Sequence, residues 1–369
     1  MKTIKTIRES VKRWACGATI AASLGLAAPA HALLFNLTST GNAQADAGFQ
    51  AAANFWQSIF IDPVTINITA GFSPLGAGIL GQAASTYHAT NFSAMKTALG
   101  ADANSANDAI MVGGLPSGNS YSKLINGTAN FGGTTHVQSG ITAMEMTRAN
   151  AKAIGLVAGN AAGQDAAITF STNFAFDFDQ TNGIGAGLYD FVGIAIHELG
   201  HAMGFTSGVD VLDFNSNGPN VTGPFSDAAF NPFATLLDFT RCSATSQTAG
   251  ADIDWRIGTA AKSFAIDGNC TALVANAWST GVDYGDGRQA SHWKDNLGLG
   301  IMDPTAVPTG NLNVVTPLDI LALDVIGWTQ ASVTSVPEPD GLLLLCTALF
   351  GLAWMQYRRQ RLGLARSVH

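Results

Sequence analysis

The chain reads as an α+β protein, and three observations carry that expectation. GLYDFVGIAI, apolar nearly all round, runs straight into HELGHAMGF at His197 to Phe205, as a helix threaded through a core would. Val64, Ile66 and Ile68, and later Phe170, Phe174, Phe176 and Phe178, fall on alternate positions as in strands. The stretch from Leu33 to Ser335 holds roughly three hundred residues, enough for one large two-lobed domain or two domains sharing a cleft.

Residues 1–32 have the form of an export signal. Lys2, Lys5, Arg8, Lys12 and Arg13 precede an apolar run from Ala15 to Ala28, and Ala30-His31-Ala32 offers signal peptidase a small-x-small site, giving a mature start at Leu33. The run is short for a membrane span of about 20 residues. A first helix is expected near Asp46 to Ile59, where Phe49, Ala52, Phe55 and Trp56 recur at helical spacing. Asp62-Pro63 breaks it, the strand at Val64 to Ile68 follows, and a second helix covers Asn91 to Leu99. Ile168 to Asp179 reads as one further strand. Asp177, Asp179 and Asn182 before Gly183 are calcium-ligand types, but their spacing misses the calcium-loop motif.

Chemistry concentrates in HELGHAMGF. On a helix, His197 and His201 stand one turn apart, roughly 5 to 6 Å at Cβ, and can grip one cation from one face. Glu198 is then placed to take a proton from water at that cation. The bland alternative is a solvated histidine pair on a surface helix, and the apolar approach argues against it. Gly204 permits a sharp turn after the helix. The compact HExxHxxGxxH pattern fails, because its last position is Ser207. A third ligand must come from His88, His136, His292 or the downstream carboxylates Asp210 and Asp213. His88 and His136 read as ordinary strand or loop histidines. His292, in SHWKDNLGLGIMDP ahead of Met302, is the favoured candidate, and Asp210 is its main rival.

Together these motifs resemble the metzincin zinc proteases, and among them the leishmanolysin-like arrangement. There a long insertion separates HExxHxxGF from a histidine in an SHW segment, shortly before a methionine turn. Here the insertion runs from Thr206 to Ser291, and the resemblance covers about Asp190 to Trp328. It implies His197, His201 and His292 as ligands of Zn2+, Glu198 as general base and Met302 as the methionine beneath the metal. It also implies a metzincin-like two-lobed fold. Residues 33–205 would form an N-terminal lobe with a twisted sheet and the active-site helix, and residues 206–330 a C-terminal lobe with the insertion, third ligand and Met-turn. A strand shortly before the catalytic helix would form the upper rim of the cleft, a role that falls to Ile168 to Asp179. The implied activity is hydrolysis of peptide bonds in a protein or peptide substrate. The pattern departs at one point: no tyrosine lies between Met302 and the C-terminal segment to act as an extra transition-state donor. A non-catalytic surface or matrix-binding protein stabilised by zinc is the competing reading.

Cys16 falls in the signal and Cys346 in the C-terminal apolar segment, leaving Cys242 and Cys270 in the body as a candidate disulfide of an oxidising compartment. After the methionine turn, Thr316 and Pro317 open a last helix through Val325, and Gly327 ends it. A polar stretch, Thr329 to Ser335, leads through the linker 331–340 with its Val336-Pro337-Glu338-Pro339. An apolar segment 341–357 and a basic tail 358–369 follow. These last parts look like a PEP-CTERM sorting signal, which implies an exosortase-type enzyme as partner, a membrane helix before processing and a body exported across the inner membrane, to the periplasm or the cell surface. Between the two terminal signals lie 9 basic and 23 acidic residues, a net charge of −14 that excludes nucleic acid as a partner.

Overall fold

Asn42 begins the first helix because its side chain accepts the otherwise unpaired N–H groups of Gln44 and Ala45. The computed structural model describes residues 33–126, 134–216 and 225–331. The expected signal peptide, the Pro-Glu-Pro motif, the C-terminal apolar segment and the basic tail lie outside them. Described residues up to Thr329 belong to one compact unit, and a second begins at Gln330. Among the described residues no helix is long and apolar enough to cross a membrane.

Strand β1 (Leu34–Leu37) precedes that first helix, α1 (Ala43–Ile59), whose buried stripe is Phe49, Ala52, Ala53 and Trp56. Strand β2 (Thr65–Ser73) buries Ile66 and Ile68 as the alternation predicts. Then come β3 (Gly81–Ser85), β4 (Tyr87–Asn91) and α2 (Phe92–Asp102), the last capped by Asn91. A capping box of Ser105 and Asp108 opens α3 (Ala106–Gly114). Strands β5 (Tyr121–Asn126), β6 (Thr135–Ile141) and β7 (Ala143–Thr147), helix α4 (Arg148–Ala153) and strand β8 (Ala166–Ser171) complete the part ahead of the motif helix.

The main sheet has the order β1-β2-β8-β3, with β1, β2 and β8 parallel and β3 antiparallel at the edge, Ala83 opposite Ile168. This corrects the expectation of one strand over Ile168 to Asp179. The chain leaves the sheet after Ser171, whose hydroxyl accepts from Asn173 N, and resumes only in the short β9 (Phe176–Asp177). That strand pairs with β10 (Tyr189–Asp190). Because β8 is hydrogen-bonded on both sides, it cannot be a rim; the edge strands are β1 and β3, and β3 is the one beside β8. The alternating phenylalanines serve packing. Phe170, Phe176 and Phe178 surround Phe191, with Phe170 at 4.2 Å between centroids, and Phe49 of α1 meets it edge-on. Asp177 and Asp179 spend their carboxylates on backbone N–H groups of Asp179, Gly185 and Thr181, as turn residues do.

After the motif helix, α5 (Phe191–Met203), regular structure is sparse: α6 (Val209–Asn215), β11 (Arg241–Cys242), α7 (Ala244–Ala249), β12 (Ile253–Asp254), β13 (Ser263–Phe264) and α8 (Pro317–Asp324). Buried polar hubs order the rest. Asp238 accepts from Ser207 Oγ, Gly208 N, Thr235 N and Trp255 Nε1, and the Arg241 guanidinium donates to the carbonyls of Ala290 and Ser279. Trp278 and Trp293 stack at 4.5 Å, and a disulfide joins Cys242 to Cys270 as the cysteine usage predicts. Strand β12 pairs with β5, which docks the insertion onto the first half of the chain. Thr316 caps α8 in a box with Asp319, with Pro317 first in the helix, and Gly327 follows at φ 101°.

A side chain at Gly208 would fall on the Phe233 carbonyl oxygen, whereas one at Gly71 meets nothing within 4 Å. Gly208→Ala is therefore expected to lower stability by about 1–3 kcal/mol, and Gly71→Ala to change it far less. Urea midpoints of the two variants check this.

Candidate metal centre

Asp190 caps α5 by accepting Gly193 N at 2.9 Å. Every residue of this helix is buried except His197 and His201, so its one polar opening is the face that carries them. Gly204 ends it at φ 122°, a conformation suited to glycine, and Asn150 and Ile326 would crowd a Cβ there. The reversal brings the Phe205 carbonyl back to His201, whose Nδ1 donates to it at 2.7 Å.

The third histidine arrives across the whole insertion. Asp210, on α6, accepts Ala290 N at 2.5 Å and Ser291 N at 3.0 Å and also binds the Ser291 hydroxyl, fixing the two residues before His292. Ser207 N donates to Ser291 Oγ at 2.9 Å, and Trp293 N to the Met302 carbonyl at 2.9 Å. The result brings the Nε2 atoms of His197, His201 and His292 within 3.0 to 3.2 Å of one another. His292 thus joins the pair, while Asp210 aligns its segment; spacing alone cannot separate a carboxylate that ligates from one that hydrogen-bonds nearby. Asp213 accepts the N–H groups of Asp283 and Tyr284. His88 lies in β4 opposite Met146, and His136 meets Asp227 at 3.1 Å. Neither belongs to the triad.

Three backbone carbonyls set the tautomers. His197 Nδ1 donates to Ile301 O at 2.6 Å, His201 Nδ1 to Phe205 O, and His292 Nδ1 faces Gln289 O at 3.3 Å. Each Nε2 therefore presents a lone pair to the other two. Burial, and the charge of the neighbouring rings, pushes the His201 imidazole down to about 3 and the His292 imidazole well below the histidine range; burial alone takes His197 to about 4. A proton is thus a poor occupant of the shared centre. Three nitrogens tetrahedrally placed at zinc distance would stand about 3.3 Å apart, close to the spacing found. An all-imidazole donor set suits zinc and its transition-metal neighbours and not calcium or magnesium.

Met302 is fully buried, and a side chain at Gly200 would stand 2.7 Å from its sulfur, so the methionine packs beneath the helix between the two histidine turns. Glu198 lies between α5 and the edge strand: a Cβ on Gly81 would reach its Oε1 at 2.9 Å, and Ala83 hydrogen-bonds its carboxylate through the backbone. Burial raises this carboxyl to about 8, the hydrogen bond from Ala83 opposing the rise. Sequence reasoning missed β3, because GQAAS carries no apolar alternation. It also missed the carbonyls that orient the rings, which leave no sequence signature.

In metal-free protein the unfolded chain protonates these histidines near their ordinary 6.5, before the folded chain does. The stability contributed by His197 is expected to be full above pH 6.5 and to fall as pH drops toward about 4, its folded value. Urea unfolding of chelator-treated wild type against His197→Gln over that window reads the difference. Zinc content separates the two ligand assignments: His292→Ala is expected to lose bound zinc and Asp210→Ala to retain it at reduced affinity. No protein-family model, curated protein or solved structure matches this chain.

Proposed function

We propose that the chain is an exported zinc-dependent endopeptidase. The observation that carries this reading is the convergence of the His197, His201 and His292 Nε2 atoms, on a helix whose residue after the first histidine, Glu198, is a buried carboxylate. Zinc, when bound by the three histidines, supplies a Lewis acid that polarises a peptide carbonyl and acidifies a water. Glu198 takes the proton of the attacking water and passes it to the leaving amine, with no covalent enzyme intermediate. Burial alone favours the protonated carboxyl, and a cation held by the adjacent histidines would oppose that and favour the ionised form a general base needs. Strand β3, the sheet edge beside Glu198, is where an extended substrate would pair, and residues 33–205 and 206–330 are the two lobes of the cleft.

Catalytic zinc sites take three protein ligands and structural sites four. Among the described residues the cluster comprises the three histidines alone, which favours an enzyme over a zinc-stabilised surface or matrix protein. On this reading signal peptidase removes residues 1–32, and an exosortase-type enzyme acts on the sorting signal while the apolar 341–357 segment anchors the chain to the membrane. The acidic body then faces the periplasm or the cell exterior, with protein or peptide substrates as its partners.

Glu198→Ala is expected to keep one zinc per chain and to lower casein or gelatin cleavage by at least roughly 10²–10⁴-fold. Metal analysis beside a clearing assay measures both. Full cleavage by this variant, or cleavage by the wild type that survives chelation, would contradict the mechanism.

A further inference from the structure

Asp319 is fully buried, and its carboxylate takes four hydrogen bonds, all from neutral N–H donors. Oδ2 accepts Thr316 N at 2.7 Å and Ile301 N at 2.9 Å, while the Thr316 hydroxyl donates to the Leu299 carbonyl at 2.6 Å. The bond from Thr316 N is helix capping, and the sequence announces it. Oδ1 has other work: it accepts Trp293 Nε1 at 2.8 Å and Met302 N at 3.2 Å.

Those two bonds lead to two of the three histidines. The N–H of Met302 and the carbonyl of Ile301 are the two ends of one peptide group, and that carbonyl accepts His197 Nδ1 at 2.6 Å. A negative oxygen at the N–H end polarises the peptide and strengthens its carbonyl as an acceptor. The chain of contacts runs from carboxylate through peptide to imidazole, with a peptide inserted where second-sphere carboxylates usually touch the histidine themselves. The second bond holds the indole of Trp293, the residue after His292, and Trp293 N closes the loop onto the Met302 carbonyl. A side chain at Gly300 would fall on the Asp319 carboxylate, so glycine there permits the approach. His201 has no such link; the carbonyl of Phe205 serves it instead.

We infer that Asp319 is a positioning residue of the metal centre, orienting His197 through the Ile301–Met302 peptide and fixing the His292 segment through the Trp293 indole. The inference rests on the reading of the triad as a metal site. The full-length chain, labelled with ¹⁵N-histidine, is loaded with zinc, and its affinity is measured by competition with a chromophoric chelator. Asp319→Asn is expected to weaken zinc binding roughly 10–100-fold. It should also move the His197 Nδ1–H resonance upfield while that of His201 stays in place. Thr316→Ala, which removes the helix cap and the bond to the Leu299 carbonyl but neither Oδ1 contact of Asp319, should lower the melting temperature and leave zinc affinity and the His197 resonance unchanged. Trp293→Phe provides a second route should Asp319→Asn fail to fold, and it is expected to weaken zinc binding with the His197 resonance held. Wild-type zinc affinity in Asp319→Asn, or in Trp293→Phe where only that variant folds, would overturn the inference while leaving the metal site intact. A wild-type chain whose histidine resonances ignore added zinc would overturn both.

Discussion

Imidazole nitrogens that face one another inside a protein repel, because each presents a lone pair and burial has removed the water that would separate them. His197, His201 and His292 hold this arrangement at 3.0 to 3.2 Å with backbone carbonyls fixing which nitrogen points inward. A divalent cation at their centre turns the repulsion into coordination, and much of the surrounding structure keeps the rings from turning away. Helix α5 is buried everywhere but at its two histidines. Met302 closes the space beneath it and Asp210 pins the approach to His292.

The insertion explains how the third ring is held with so little regular structure. Its conformational freedom is large, and among its described residues no long helix or strand restrains it; the restraint comes from buried charges hydrogen-bonded to backbone groups, serine hydroxyls and an indole. Asp238 gathers the segments at Ser207, Thr235 and Trp255, Arg241 gathers those at Ser279 and Ala290, and the Trp278–Trp293 stack fills the space between. Such hubs are strict about geometry, because a half-satisfied buried charge costs more than an apolar substitute. They therefore set the position of His292 more firmly than apolar packing would.

Much of this was legible in the residues. His197 and His201 declared themselves by spacing, Thr316 by capping chemistry, and Cys242 and Cys270 by being the two cysteines of the body. What stayed hidden depends on contacts between distant segments. The edge strand Gly81–Ser85 gives no period-two apolar signal, while the four phenylalanines gave a false one across the end of the strand at Ser171. Asp210 and Asp319 look alike in sequence to ligands and caps, and their work on His292 and His197 appears only when residues some 80 to 120 positions apart meet.

X-ray absorption at the zinc edge of the purified, zinc-loaded chain tests the central claim most directly. The account predicts a first shell of three nitrogens at about 2.0–2.1 Å with the outer-shell pattern of three imidazoles, completed by one light atom from solvent. A shell with two imidazoles, one with sulfur or four protein ligands, or a chain that takes up no stoichiometric zinc, would contradict it.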